Sequence, residues 1–202
     1  MDSRLPRLSA FTAGLPDGLD SYPETRAKAS MNRVYCESLQ PTLARDPTVV
    51  PDRIRELVQN PAPVSAWIPV VHSHAVMLAA CDLAFESEDA FVEHTYQEQR
   101  ALLSSRLYRI LLALAKPEML IRVAPMRWSV FHRGSSLSIE DSSPTTVRIR
   151  VDHPPGLWFG VAARSLAAGL RGSLELSGAH DAQLDVVSRT PGVLHMEGSW
   201  TL

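Results

Sequence analysis

Apolar positions along this chain follow two periods, and the switch between them falls at Gly134. Before it the spacing is helical. Ala27, Met31, Val34, Tyr35 and Leu39 share one face of a helix predicted from Pro23 to about Leu39. Pro41, Pro47 and Pro51 mark a linker. A short helix then runs to Gln59, with proline in its first turn and an acid beside it. The next helix, capped by Ser65 and containing Pro69, continues to Ala84. It is apolar nearly all round, the pattern of a helix buried on most sides. Ser87-Glu88-Asp89 has the chemistry of an N-cap followed by first-turn acids, and predicts a helix carrying Phe91, Val92, Tyr96, Leu102 and Leu103. Two more helices are predicted, Arg106–Ala115 and one from Pro117 to His132-Arg133, kinked by Pro125 and closed by Gly134. The opening stretch to Tyr22 reads as irregular turn chemistry that packs along the body through Phe11, Leu15 and Leu19.

Beyond Gly134 the period becomes two. Leu137 and Ile139 alternate with polar residues, and Asp141-Ser142-Ser143-Pro144 turns the chain. In the next strand Val147, Ile149 and Val151 face one way and Arg148, Arg150 and Asp152 the other. After His153-Pro154-Pro155-Gly156 helical spacing returns from Leu157 to Leu176, with small residues that permit close packing on a sheet. Gln183–Ser188 and Val193–Thr201 form the last hairpin around Pro191-Gly192. The fold class is therefore α+β. A mainly helical part, residues 1–134, precedes a β-β-α-β-β antiparallel unit, residues 135–202, and the two are expected to form one compact domain. Pairing within each hairpin follows from the short turns; the order of the four strands does not.

Composition narrows the function. Hydrophobic residues make up 45% of the 202 and charged residues 21%, ordinary values for a globular protein. A formal charge of −2, with Lys28 and Lys116 the only lysines, provides no long-range field for nucleic acid. Cys36 and Cys81 are too few for a disulfide framework and read as buried thiols. The start of the chain lacks a signal-peptide pattern, and the longest apolar run, Ile110–Ala115, is far too short to span a bilayer. A cytoplasmic protein is expected.

Chemistry-bearing residues are sparse. His72 and His74 sit two apart on a helix and point to different faces, so they do not share a metal ion. His74, Met77 and Cys81 do share a face, but on a nearly all-apolar helix that is core spacing. No phosphate-binding loop and no nucleophile elbow is present. His195 and Asp185 lie on adjacent predicted strands, where a cross-strand hydrogen bond is expected. Trp67, Trp128, Trp158 and Trp200 suit helix–sheet seams or the wall of an apolar cavity. The ligand-pocket candidates are Trp67, His74, Met77, Trp128 and Trp158. No catalytic residue, metal site or cofactor is assigned.

The run Gly169-Leu170-Arg171-Gly172-Ser173-Leu174-Glu175-Leu176-Ser177-Gly178-Ala179, followed by two short strands ending in Trp200, resembles the C-terminal part of an uncharacterised paralogous family of myxobacterial proteins of similar length. Through it the chain is similar to the V4R and haem-NO-binding-like (Bet3-like) ligand-binding superfamily. The resemblance implies N-terminal helices, a hairpin opening at His132-Arg133-Gly134-Ser135, a helix and a second hairpin. It departs from the haem-binding branch in lacking a Tyr-x-Ser-x-Arg signature, and from zinc-binding members in having two cysteines. The expected function is a non-enzymatic regulatory or sensor module that binds a small apolar ligand and dimerises. The alternatives are a protein-interaction or assembly subunit with no small ligand, and an enzyme with an unrecognised site around His72, His74 and Asp82 or around His132.

Overall fold

Each apolar stripe of the chain becomes the buried side of an element, and the boundaries follow local capping chemistry. The computed structural model describes residues 4–104 and 116–202; the predicted helix Arg106–Ala115 lies outside the described residues. Among the described residues are seven α-helices and two antiparallel sheets. The elements fall into two units. One comprises Met1–Phe91, His132–Gly134 and Pro154–Ala162, and the other Val92–Phe131, Ser135–His153 and Ala163–Leu202.

The first unit opens with α1, Pro6–Ala13, where irregular chain was expected. The residue before it, Leu5, supplies no side-chain cap. The free N–H groups of Arg7 and Leu8 donate instead to Asp82 Oδ2, at 3.0 and 3.1 Å. An acid distant in sequence thus caps a helix that looks uncapped locally. Arg7 also pairs with Asp82 Oδ1 at 2.9 Å and with Glu88 at 2.8 Å. A 3-10 turn, Gly18–Asp20, follows.

A second departure concerns residues read as helical. Arg26–Lys28 is a strand, β1, and α2 runs from Ser30 to Arg45. It continues through Pro41, because Leu39 and Leu43 bury its face on both sides of the missing N–H. The third helix, α3, covers Asp52–Gln59 as expected. Trp67–Pro69 forms β2, and Pro69 becomes the N-cap of α4, Val70–Ala84. Every residue of α4 from Val70 to Cys81 is buried, as its apolar circumference implies. Full burial of one such Leu or Val side chain stabilises by about 1.5–3 kcal/mol. His132–Arg133 is β3, and the three short strands make a sheet in the order β2-β1-β3. Gly134 ends it at φ +73°, against Thr25, where a Cβ would come within 2.7 Å of the Thr25 hydroxyl.

The second unit contains α5, Glu88–Leu103, from Val92 onward. Its cap is the expected one, Ala90 N–H donating to Ser87 Oγ at 3.1 Å. Next in the described chain is α6, Pro117–Phe131, with Pro125 inside it. The four long strands are β4 Ser136–Ser142, β5 Thr146–Asp152, β6 His180–Arg189 and β7 Val193–Thr201, with α7, Gly160–Leu176, between the hairpins. This is the β-β-α-β-β order read from the sequence. The sheet order is β4-β5-β7-β6, all antiparallel, so the second strand of each hairpin meets in the centre. Val147, Ile149 and Val151 are buried and Arg148 is exposed, as the alternation requires. Gly169 and Gly172 let α7 approach α5: a Cβ at the first would overlap Gln99, and at the second would meet Arg100 and Tyr96. No helix among the described residues is long and apolar enough to cross a membrane.

Candidate functional site

The interior of the first unit gathers rings from four separate elements. His74, buried in the middle of α4, points at the backbone before α7. Leu157 offers a carbonyl oxygen 3.0 Å from its Nδ1, and a carbonyl only accepts. Nδ1 therefore carries a proton. The Trp158 ring lies edge-on to His74 at 4.9 Å, and Phe11 of α1 at 6.0 Å. His132 of β3 completes the cluster 6.2 Å from Trp158. Burial, reinforced by the neighbouring His74, holds the His132 imidazole down at about 4, so it is neutral at pH 7.

His72 is buried too but looks elsewhere, towards Leu19, Asp20 and Arg53. Burial first, and the Arg53 charge second, lower its pKa. Asp82 is engaged by α1, as described above. His72, His74 and Asp82, the first location of the enzymatic alternative, thus serve three different neighbourhoods, while His132, its second, shares the Trp158 ring with His74. Cys36 and Cys81 are buried free thiols, and desolvation pushes Cys36 up to about 11, which keeps it an unreactive thiol. Among the described residues no group of three His, Cys, Asp or Glu could hold a metal ion.

Of the five ligand-pocket candidates, the structure brings His74 and Trp158 into contact. Met77 is buried on α4. Trp67 lies on the three-stranded sheet, stacked between Lys28 and Arg133. Trp128 belongs to the second unit, where its indole N–H donates to Ser135 Oγ at 3.1 Å. His195 does not bond Asp185. A register shift in β6 sets Ser188 opposite His195, and its Nδ1 instead meets Glu140 at 3.2 Å.

A cavity of about 400 Å³ opens in the first unit, and none of the five candidates lines it. Its walls come from α1 (Leu8, Thr12), the 3-10 turn (Leu19) and the segment entering α3 (Val49, Pro51, Ile54). Ser9, Thr48 and Asp52 add polar groups. The size is at the lower end of small-molecule sites, and polar and apolar groups share the lining almost equally. Sequence reading missed it because α1 was taken as irregular. The one available signal was the helical spacing of Leu8, Phe11 and Thr12. That helix has two working faces: Leu8 and Thr12 line the cavity, while Phe11 packs on His74.

The site and fold together define an α+β protein with a modest cavity of mixed polar and apolar lining and a ring-filled core. No protein-family model and no curated protein matches the chain. Solved structures do. One from work on haem distortion in the H-NOX family has a TM-score of 0.56 at 8% identity, covering 87% of this chain and 95% of that one. The Fe(II) unliganded H-NOX protein from K. algicida gives 0.55 at 8% identity, covering 87% and 97%. An oxygen-binding H-NOX domain related to soluble guanylate cyclases gives 0.53 at 9% identity, covering 87% and 95%. The fold is H-NOX-like.

Haem, named for the first of those structures, does not fit the ring cluster here. His74, held through Nδ1 by the Leu157 carbonyl, is the histidine of this ring cluster against which a haem can be tested. Space is lacking. A porphyrin-sized void would leave its walls with accessible surface, yet His74 and Trp158 are each 6% exposed, Phe11 2% and Leu157 0%. Rings and aliphatic side chains fill the volume around His74.

Proposed function

We propose that this chain is a non-enzymatic regulatory or sensor module that takes a small apolar molecule into the cavity beside α1 and works as a cytoplasmic homodimer. The observation that carries the reading is the cavity of about 400 Å³ in an H-NOX-like fold. The V4R-type resemblance of the C-terminal unit supports the same class of protein. α1 is the element through which occupancy would be felt. A ligand against Leu8 and Thr12 presses on the helix whose Phe11 contacts His74, and His74 in turn contacts Trp158. In this proposal His74 and Trp158 report on the ligand, and Trp67, Met77 and Trp128 do not touch it.

A second reading, an assembly subunit, is favoured by α6. Met119, Met126 and Val130 are 56%, 66% and 47% exposed and recur at helical spacing along one side. Native mass spectrometry with the apolar fluorophore 1-aminoanthracene tests both readings. The expected species is a dimer with one fluorophore per chain, and Thr12→Trp, which fills the cavity, should lose the fluorophore and stay dimeric. A wild-type protein that takes no fluorophore, or a filled variant that binds equally well, overturns the ligand proposal. A dimer without ligand would favour the assembly reading.

A further inference from the structure

The outward side of the three-stranded sheet carries charge that nothing above uses. Arg26 and Lys28 are two apart on the central strand β1, so they share a face. Arg133 stands directly opposite Arg26, and Trp67 directly opposite Lys28. All four therefore lie on one face, with Ala27, Ile68 and His132 on the other. The Trp67 ring has the Lys28 ammonium 4.2 Å from its centroid and the Arg133 guanidinium 4.0 Å from it.

Among the described residues no carboxylate forms an ion pair with Arg26, Lys28 or Arg133. Elsewhere the described arginines are commonly paired: Arg4 with Asp46, Arg7 with Asp82 and Glu88, Arg148 with Glu197. Arg26 and Lys28 instead donate to neutral carbonyls, of Pro23 at 3.1 Å and Ser65 at 2.7 Å. Like charges directly opposite on neighbouring strands repel. Here Arg26 and Arg133 are held in that relation, in a chain that carries 22 acids against 20 basic residues.

We infer that this face binds a small soluble oligophosphate. Two arginines paired across neighbouring strands each bring an N–H fork that suits phosphate oxygens, and Lys28 adds a third cation one row along. The Trp67 ring, with Lys28 and Arg133 against it, holds both cations at this face. Dimensions favour this occupant over a membrane. Positions two apart on a strand are about 7 Å apart and neighbouring strands about 5 Å apart, the span of a diphosphate or triphosphate. The inference is independent of the cavity beside α1 and survives or fails separately.

Isothermal titration calorimetry of the full chain with inorganic pyrophosphate and with tripolyphosphate, at about 0.15 M salt so that diffuse attraction is screened, tests it. One-to-one binding is expected, weakened about tenfold or more in Arg26→Gln and in Arg133→Gln, since each removes one fork. Arg127→Gln, an exposed arginine on α6, should bind like the wild type. Should Arg133→Gln fail to fold for want of its stack on Trp67, Arg26→Gln, which makes no such stack, carries the test. Absence of binding at millimolar pyrophosphate and tripolyphosphate overturns the inference. So does equal binding by the Arg26 and Arg127 variants, or capture by phosphatidylserine vesicles without any response to the soluble phosphates.

Discussion

The two sheets of this protein are built in opposite ways. The four-stranded sheet uses strands of 7 to 10 residues, joined in sequence-adjacent hairpins and patterned by strict alternation. The three-stranded sheet is assembled from pieces of two or three residues at positions 26, 67 and 132, each attached to a helix. In the first, the strand pattern defines the buried face. In the second, the helices deliver the strands to one another, and pairing is the consequence of packing. Short strands carry little intrinsic stability. Such a sheet persists only while its supports are intact, and its outer face remains available for polar chemistry such as the cationic cluster around Trp67.

Three measurements would break or sharpen that contrast. The largest effect is expected at Gly134, where the three-stranded sheet ends. Gly134→Val combines a positive φ with a Cβ only 2.9 Å from the Thr25 backbone, and should destabilise by about 3–5 kcal/mol in urea unfolding. A loss below 1 kcal/mol would show that this sheet is less tightly supported than its geometry implies.

A somewhat smaller effect concerns His132, on the inner face of the same sheet. The unfolded imidazole takes its proton near 6.5, whereas the folded one stays neutral down to about 4. As pH falls between those values the unfolded chain binds the proton first, so stability complete above 6.5 is lost towards pH 4. The loss amounts to about 3 kcal/mol. His72, shifted in the same direction, adds to it. His132→Gln should flatten the urea midpoint between pH 7 and 4.5; an unchanged pH profile would remove His132 as its source.

The smallest is expected in the long sheet. Gly198 of β7 lies beneath Leu184, and an added Cβ would approach its Cδ1 to 2.7 Å and the Gln183 carbonyl to 3.1 Å. The Leu184 side chain can rotate away, so Gly198→Ala should cost about 1–2 kcal/mol. If it equals or exceeds the Gly134 variant, the long sheet is the more tightly constrained of the two.

Legibility followed the same division. Val147, Ile149 and Val151 announce their strand because side chains alternate with a period of two, and β7 was readable to the residue. Arg26-Ala27-Lys28 has no pattern of its own, and it continues the helical spacing of Ala27, Met31 and Val34. Nothing local says that the chain straightens there to meet Trp67 and Arg133. The α1 cap was hidden for a related reason: its acceptor, Asp82, is 75 residues from Arg7. Of the candidate site, His74 and Trp158 were legible as apolar-surface residues with a polar handle. Their contact, the part played by Phe11, and the cavity between α1 and the approach to α3 were not.

The sequence by itself determined the α+β class, the β-β-α-β-β order after Gly134, the buried thiols and the buried character of α4. All of these follow from residue period and type within a few turns or strands. Tertiary structure alone decided the strand order β4-β5-β7-β6, the second sheet, the partner of His195 and the walls of the cavity. Each of these depends on groups that meet because larger apolar faces have already packed, and such meetings leave no periodic trace in the chain that makes them.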